Sequence, residues 1–243
     1  MQTVRPYKDS TDSKSEQVER MFDRIAPTYD FLNSLLSVGI DHYWRKRAIR
    51  ELAPVTDNLN ILDVATGTGV LSFQTLKSYP KVQITGIDIA DKMLDVGRVR
   101  STKSGLDSNL KFLKADSLNL PFEANTFDRT MVAFGVRNFE NLDKGLMEMY
   151  RVLKPGAKCV VLEFSKPRTW PIKPLFGFYF QNILPLIGKI LSKDPAAYQY
   201  LFQSVQQFPD FDRFVHTMAQ AGFKNCRFQS LTFGICCLYI GTK

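Results

Sequence analysis

Between residues 60 and 164 five short apolar runs alternate with longer stretches, most of them helix-patterned, and this rhythm constrains the fold more than any other feature. Residues 60–65 (NILDVA) read as a strand ending at a glycine-rich turn, and 70–79 follow as a helix. Strands are expected at 82–87, 110–115, 128–134 and 159–164, with helices at 92–103 and 142–153, the last stopped by Lys154-Pro155-Gly156. Strands separated by helical segments imply βαβ units and a parallel sheet. Farther on, a helix at 211–221 ends at Gly222, and two strands, 226–232 and 235–241, are separated only by Phe233 and Gly234. Two residues cannot make a parallel crossover, so this pair is antiparallel. The expected fold is α/β, a mostly parallel seven-stranded sheet closed by an antiparallel hairpin.

The turn at 62–69 (LDVATGTG) carries the chemistry. Glycines let a backbone approach a ligand, and a helix start offers free N–H groups. Asp88 ends the second strand 21 residues past Gly67, where an acid accepts hydrogen bonds from ribose hydroxyls. Asp116 ends the third strand likewise. Ligands of open α/β sheets bind outside the carboxyl ends of the strands, so Gly67, Thr68, Gly69, Asp88 and Asp116 are expected to gather around a nucleoside. A dinucleotide fingerprint wants a third Gly or Ala where this chain has Ser72. A cationic sulfonium beside Asp63 and Asp88 suits the charges better, which points to S-adenosylmethionine. Asp63 is expected to orient the turn.

Ahead of the sheet, Val18, Met21, Phe22 and Ile25 mark an amphipathic helix over 16–26, which Pro27 ends or kinks. A second helix covers 41–52. With 243 residues, 44% hydrophobic and 23% charged, the chain reads as one enlarged globular domain needing no disulfide or metal support. Cys159, Cys226, Cys236 and Cys237 form no CxxC pair and read as reduced core residues; His42 and His216 lie apart from them, so no metal site is expected. Residues 1–15 are polar, lack a signal-peptide core, and are expected to be a disordered tail.

The net charge of +8 sits wholly in residues 151–243. No acid occurs between Glu163 and Asp194, a stretch that holds Lys166, Arg168, Lys173, Lys189 and Lys193 around the aromatic, Pro-broken run 170–191. That run is too interrupted to span a bilayer. It reads as an interfacial lid on an anionic membrane surface, or else as a packed insertion or homodimer contact. The basic residues are interleaved with aliphatics and no RNA-binding module is visible, so nucleic acid is not expected as a partner.

Several motifs together resemble one family. MFDRIAPTYD at 21–30, NSLLSVG at 33–39, Trp44-Arg45, FGVRN at 134–138, YRVLKPG at 150–156 and LEFSKP at 162–167 are similar to the signatures of the quinol C-methyltransferases of menaquinone and ubiquinone biosynthesis. The likeness runs from about Val18 to the C-terminus; the RVLKPG stretch is shared by many methyltransferases, the others by few. It implies a class I S-adenosylmethionine-dependent fold, with an N-terminal helical lid (16–53) and an insertion (about 168–205). It implies cofactor contacts at Thr68, Asp88, Asp116 and Ser117, with Ala133 where ubiquinone-linked members often carry Ser. The expected substrate is a prenylated quinol, demethylmenaquinol first, with a polyprenyl-methoxy-benzoquinol as the alternative. A non-catalytic scaffold of a quinone-synthesis assembly is a second alternative. A cytoplasmic protein, peripheral to the inner face of the cytoplasmic membrane, is implied.

For the chemistry, Arg137 and Asn138 follow the fourth strand and are candidates to stabilise a developing oxyanion or orient a water. Tyr29 and Asp30 are candidates for a lid over the site, with helix capping as the plainer role. His42 is a candidate base because imidazole is the side-chain type suited to proton transfer at neutral pH, with a structural role as the plainer reading, and Glu163 is a candidate base or loop anchor.

Overall fold

A computed structural model describes residues 4–7, 9–37, 39–183 and 195–243. Seven strands form one sheet in the order β3-β2-β1-β4-β5-β7-β6. They are β1 (Asn60–Val64), β2 (Gln83–Asp88), β3 (Leu110–Lys114), β4 (Phe127–Ala133), β5 (Leu153–Phe164), β6 (Lys224–Leu231) and β7 (Cys236–Thr242). The first five are mutually parallel, and β7 lies antiparallel between β5 and β6. The switch point of the strand order falls between β1 and β4, where Leu62 pairs with Thr130.

Alternation along the strands feeds two cores, as the two-residue period of a strand requires. Leu62, Val64, Val132, Val161 and Tyr239 turn to one face, against α5 (Leu142–Val152) and the helix Asp212–Gln220. Ile61, Ile84, Met131, Val160 and Leu238 turn to the other, against α2 (Ile40–Glu51) and α3 (Val70–Ser78). Each such fully buried aliphatic contributes roughly 1.5–3 kcal/mol. The helix α4 (Asp91–Lys103) connects β2 to β3. Beyond β5 come α6 (Ile172–Phe178), a π turn (Tyr179–Ile183) and α7 (Pro195–Gln207), before α8 (Asp212–Gln220).

Two expectations change. The first helix, α1 (Lys14–Leu36), runs through Pro27. The proline ring faces solvent, while Val18, Met21, Ile25 and Ala26 are buried and hold the helix on course. The link between the last two strands is longer than two residues, with a 3-10 turn at Thr232–Gly234 followed by Ile235. Among the described residues before α1, Pro6 is buried and the Tyr7 N–H donates to Gln17 Oε1 at 2.9 Å; at the start of α1, Lys14 Nζ donates to the Phe139 carbonyl at 2.8 Å. Burial lowers the Lys14 ammonium to about 8. Of the run 170–191, residues 184–191, with Pro185 and Lys189, lie outside the described residues, as does Lys193.

Candidate functional site

The glycine turn takes its shape from β1. Asp63 is buried, and its Oδ2 accepts from Thr66 Oγ1 at 2.7 Å and Ser72 Oγ at 2.6 Å. Ser72, where a dinucleotide fingerprint has a small apolar residue, thus ties the first turn of α3 to the strand. Gly67 and Gly69 take positive φ (58° and 79°), and a Cβ on Gly69 would lie 2.8 Å from the Phe112 ring. Glycine is required there both for conformation and for room.

Asp88 closes the turn from the next strand. Its Oδ2 accepts the Gly67 N–H at 2.8 Å and its Oδ1 the Ala90 N–H at 2.9 Å. Burial pushes Asp63 and Asp88 up to about 6, against the hydrogen bonds each accepts. Asp116 and Ser117, just past β3, line the same crevice. Three neighbouring strand ends therefore bring their acids to one opening.

The α1 helix roofs this crevice. Ser15, Val18, Phe22, Tyr29 and Asp30 face it. Asp30 Oδ1 accepts from Thr68 Oγ1 at 2.6 Å, so the turn hydroxyl is held by the roof. Both Tyr29 and Asp30 lie inside α1, so neither caps it.

Arg45 was not singled out as a site residue from the sequence. It lies on the buried face of α2 with Trp44, Ala48 and Ile49, lines the crevice, and pairs with Asp41. Its guanidinium carbon sits 5.4 Å from the Phe134 ring centroid. A charge on the apolar stripe of an amphipathic helix was the available signal. His42 faces the other way: it is exposed, does not line the crevice, and its Nδ1 lies 2.9 Å from Gln74 Nε2. The structure does not bring it to the site.

Beyond β4, Phe134 takes a positive φ of 61°, a cost of order 1 kcal/mol or more for a non-glycine residue. A Cβ on Gly135 would lie 2.6 Å from that of Ala65, so the exits of β4 and β1 nearly touch. The 3-10 turn Val136–Asn138 follows. Asn138 lines the crevice; Arg137 does not. The Arg137 guanidinium turns beneath the turn, donating through Nη1 to Glu163 Oε1 at 2.7 Å and to the Phe134 carbonyl. Both side chains are buried, at 5% and 0% exposure, so this is no surface ion pair. Burial raises the Glu163 carboxyl, and Arg137 with the Phe164 and Arg137 N–H groups opposes that rise. Glu163 is a loop anchor.

The crevice therefore combines two buried-side acids that favour a cation, a third acid at β3, a guanidinium from α2, and aromatic and aliphatic walls. Among the described residues no group of His, Cys, Asp or Glu side chains could hold a metal ion.

The sequence model of the ubiE/COQ5 methyltransferase family matches residues 10–243. The chain is 46% identical to a demethylmenaquinone methyltransferase of Bacteroides fragilis, over 99% of this chain and 97% of that one. It is 45% identical to a ubiquinone/menaquinone biosynthesis C-methyltransferase of Geotalea daltonii, over 95% and 97%. Among solved structures, it resembles a SAM-dependent methyltransferase from Aquifex aeolicus (TM-score 0.59, 20% identity, 81% of this chain and 88% of that one). It also resembles a possible histamine N-methyltransferase from Thermotoga maritima (TM-score 0.65, 16% identity, 92% and 98%). At such identities these structures bear on the fold.

Proposed function

The chain belongs to the ubiE/COQ5 methyltransferase family, and on that premise we propose that it transfers a methyl group from S-adenosylmethionine to a ring carbon of demethylmenaquinol. The observation that carries this reading is the convergence of three strand-end acids, Asp63, Asp88 and Asp116, on one crevice beside the Gly67–Gly69 turn, a lining that favours a cationic nucleoside ligand. When bound, the cofactor supplies an electrophilic methyl on a sulfonium and leaves as S-adenosylhomocysteine.

The residues fit that group. Asp88 has lone pairs left that would accept from ribose hydroxyls, Asp116 and Ser117 would hold the adenine, and Arg45 is a cation in the crevice lining that would pair with an amino-acid carboxylate. Gly67 and Gly69 let the backbone come close, and Asp63 fixes their conformation. Roofing by α1 excludes water from a reaction that water would spoil. The acceptor quinol must lose a hydroxyl proton so that electron density reaches its ring carbon, and later lose the ring proton. Asn138 and Tyr29 face the crevice and are suited to hold a quinol oxygen; Arg137, always charged, acts by fixing the turn and by its field rather than as a base.

A prenylated acceptor resides in a bilayer, and one face suits such a surface. Trp170, Leu175 and Phe178 are 85%, 61% and 60% exposed on and beside α6, with Arg168 and Lys173 next to them. Exposed aromatics bordered by cations favour an anionic interface, consistent with a peripheral position on the inner face of the cytoplasmic membrane. Among the described residues no helix is long and apolar enough to cross a membrane.

Incubation with methyl-labelled cofactor and demethylmenaquinol tests the reading. Label is expected in menaquinol; label only in a benzoquinol acceptor, or in neither, overturns it.

A further inference from the structure

Three polar atoms close to the Val136–Asn138 turn are buried without a hydrogen-bond partner: Arg137 Nε, Asn138 Oδ1 and the Tyr200 hydroxyl. Orphaned buried polar atoms are rare in folded proteins, and each asks for a partner, whether an ordered water or a ligand. Tyr200 comes from α7, which packs against this turn. Its ring is 3% exposed among Val18, Met21, Ile25 and Phe176, and it lies within electrostatic reach of Arg137 and Glu163. Val18, which packs with Tyr200, and Asn138 also line the crevice, so the side chains around Tyr200 border it.

The atoms make a matched set. Arg137 Nε–H is a donor, Asn138 Oδ1 an acceptor, and a phenol can serve as either. Burial raises the Tyr200 phenol above its ordinary value, so it keeps its proton. An aromatic hydroxyl or its oxyanion needs donors with an acceptor beside them, and the surrounding side chains are apolar. We propose that Tyr200 is an acceptor-binding residue, its hydroxyl donating to a ring oxygen of the aromatic substrate beside the Arg137–Asn138 turn. This rests on the quinol methyltransferase reading above and names a group that binds the acceptor rather than the cofactor. It also gives α7 a role: the helix after the apolar insertion carries part of the substrate site.

The test is Tyr200→Phe, compared with the wild type in three measurements. Removing an orphan hydroxyl from a dry site leaves the melting temperature of the ligand-free protein unchanged or higher. Affinity for S-adenosylhomocysteine by calorimetry stays within twofold. The kcat/KM for demethylmenaquinol falls by roughly 5- to 10-fold, the size of one lost hydrogen bond. Tyr200→Leu, which also removes the ring, lowers both stability and kcat/KM and bounds the packing contribution. Unchanged kcat/KM in Tyr200→Phe overturns the inference and leaves the methyltransferase reading standing, as would be seen if a buried water satisfied these atoms. Loss of activity matched by a lower melting temperature or weaker cofactor binding overturns it as well. A wild type that transfers no label to the quinol overturns both.

Discussion

The Asp88 carboxylate accepts the Gly67 N–H at 2.8 Å, so the acid at the end of β2 holds the turn that ends β1. Asp88 thus shapes the glycine turn and lines the crevice. Replacing it with Ala leaves the Gly67 and Ala90 N–H groups without their acceptor and removes the carboxylate proposed to take the ribose hydroxyls. Cofactor affinity should fall by at least about tenfold, since hydrogen bonds to charged groups contribute about 1.5–3 kcal/mol. Calorimetry with S-adenosylhomocysteine measures this, and unchanged affinity would remove the nucleoside from this crevice.

Cofactor binding should depend on pH near 6. In the ligand-free protein Asp63 and Asp88 are raised from 3.8 to about 6. The folded state then holds more protons than the unfolded one between those values. Their contribution to stability is present below pH 3.8 and is lost as pH rises through 6. A cationic ligand selects the ionised carboxylates, so affinity should rise from pH 5 to 7, level off above, and release protons at pH 6. Calorimetry in buffers of different ionisation enthalpy reads the released protons; a flat profile would contradict the assignment.

Arg45 should matter for one end of the cofactor only. Arg45→Gln is expected to weaken S-adenosylhomocysteine about tenfold or more, in the range of a charge-assisted hydrogen bond, while 5′-methylthioadenosine, which lacks the amino-acid carboxylate, binds as before. If both ligands weaken equally, Arg45 serves only in its ion pair with Asp41 within α2.

Arg137→Ala strips the partner from a fully buried Glu163. Breaking such a pair from one side costs about 3–5 kcal/mol. Urea denaturation should show a loss of that order, and Glu163→Gln a smaller one. Turnover should fall further than cofactor affinity, because the Asn138 turn loses its anchor. Equal loss of both would place Arg137 on the cofactor side.

The apolar face of α6 should govern membrane binding. Trp170→Ser together with Phe178→Ser is expected to reduce flotation with anionic vesicles severalfold, with cofactor affinity unchanged. High salt should release the wild type, as screening predicts. If the double variant floats like the wild type and instead changes sedimentation, the face is a contact between two copies of the chain.

What the sequence disclosed was mostly local. A glycine turn between an apolar run and a helix is written in adjacent residues, so the β1 turn and the acids at 88 and 116 could be read directly. The Arg137–Glu163 pair could not, because 26 residues and the registry of β4 on β5 intervene. Nor could the continuation of α1 through Pro27, which depends on what α1 packs against rather than on its own propensities. His42 sits at the exposed edge of α2 that also carries Lys46 and Arg50, outside the buried set of Trp44, Arg45, Ala48 and Ile49, and a helical projection of the sequence shows that edge only weakly.

The position of β7 has a consequence for vectorial synthesis. Among the described residues, β6 hydrogen-bonds to the sheet only through β7, which follows it in the chain. While the ribosome is still making the last strand, β6 has no neighbour and the flank of β5 stands open, a template for unwanted pairing. Nascent chains halted before Cys236 should therefore be the species that chaperones hold.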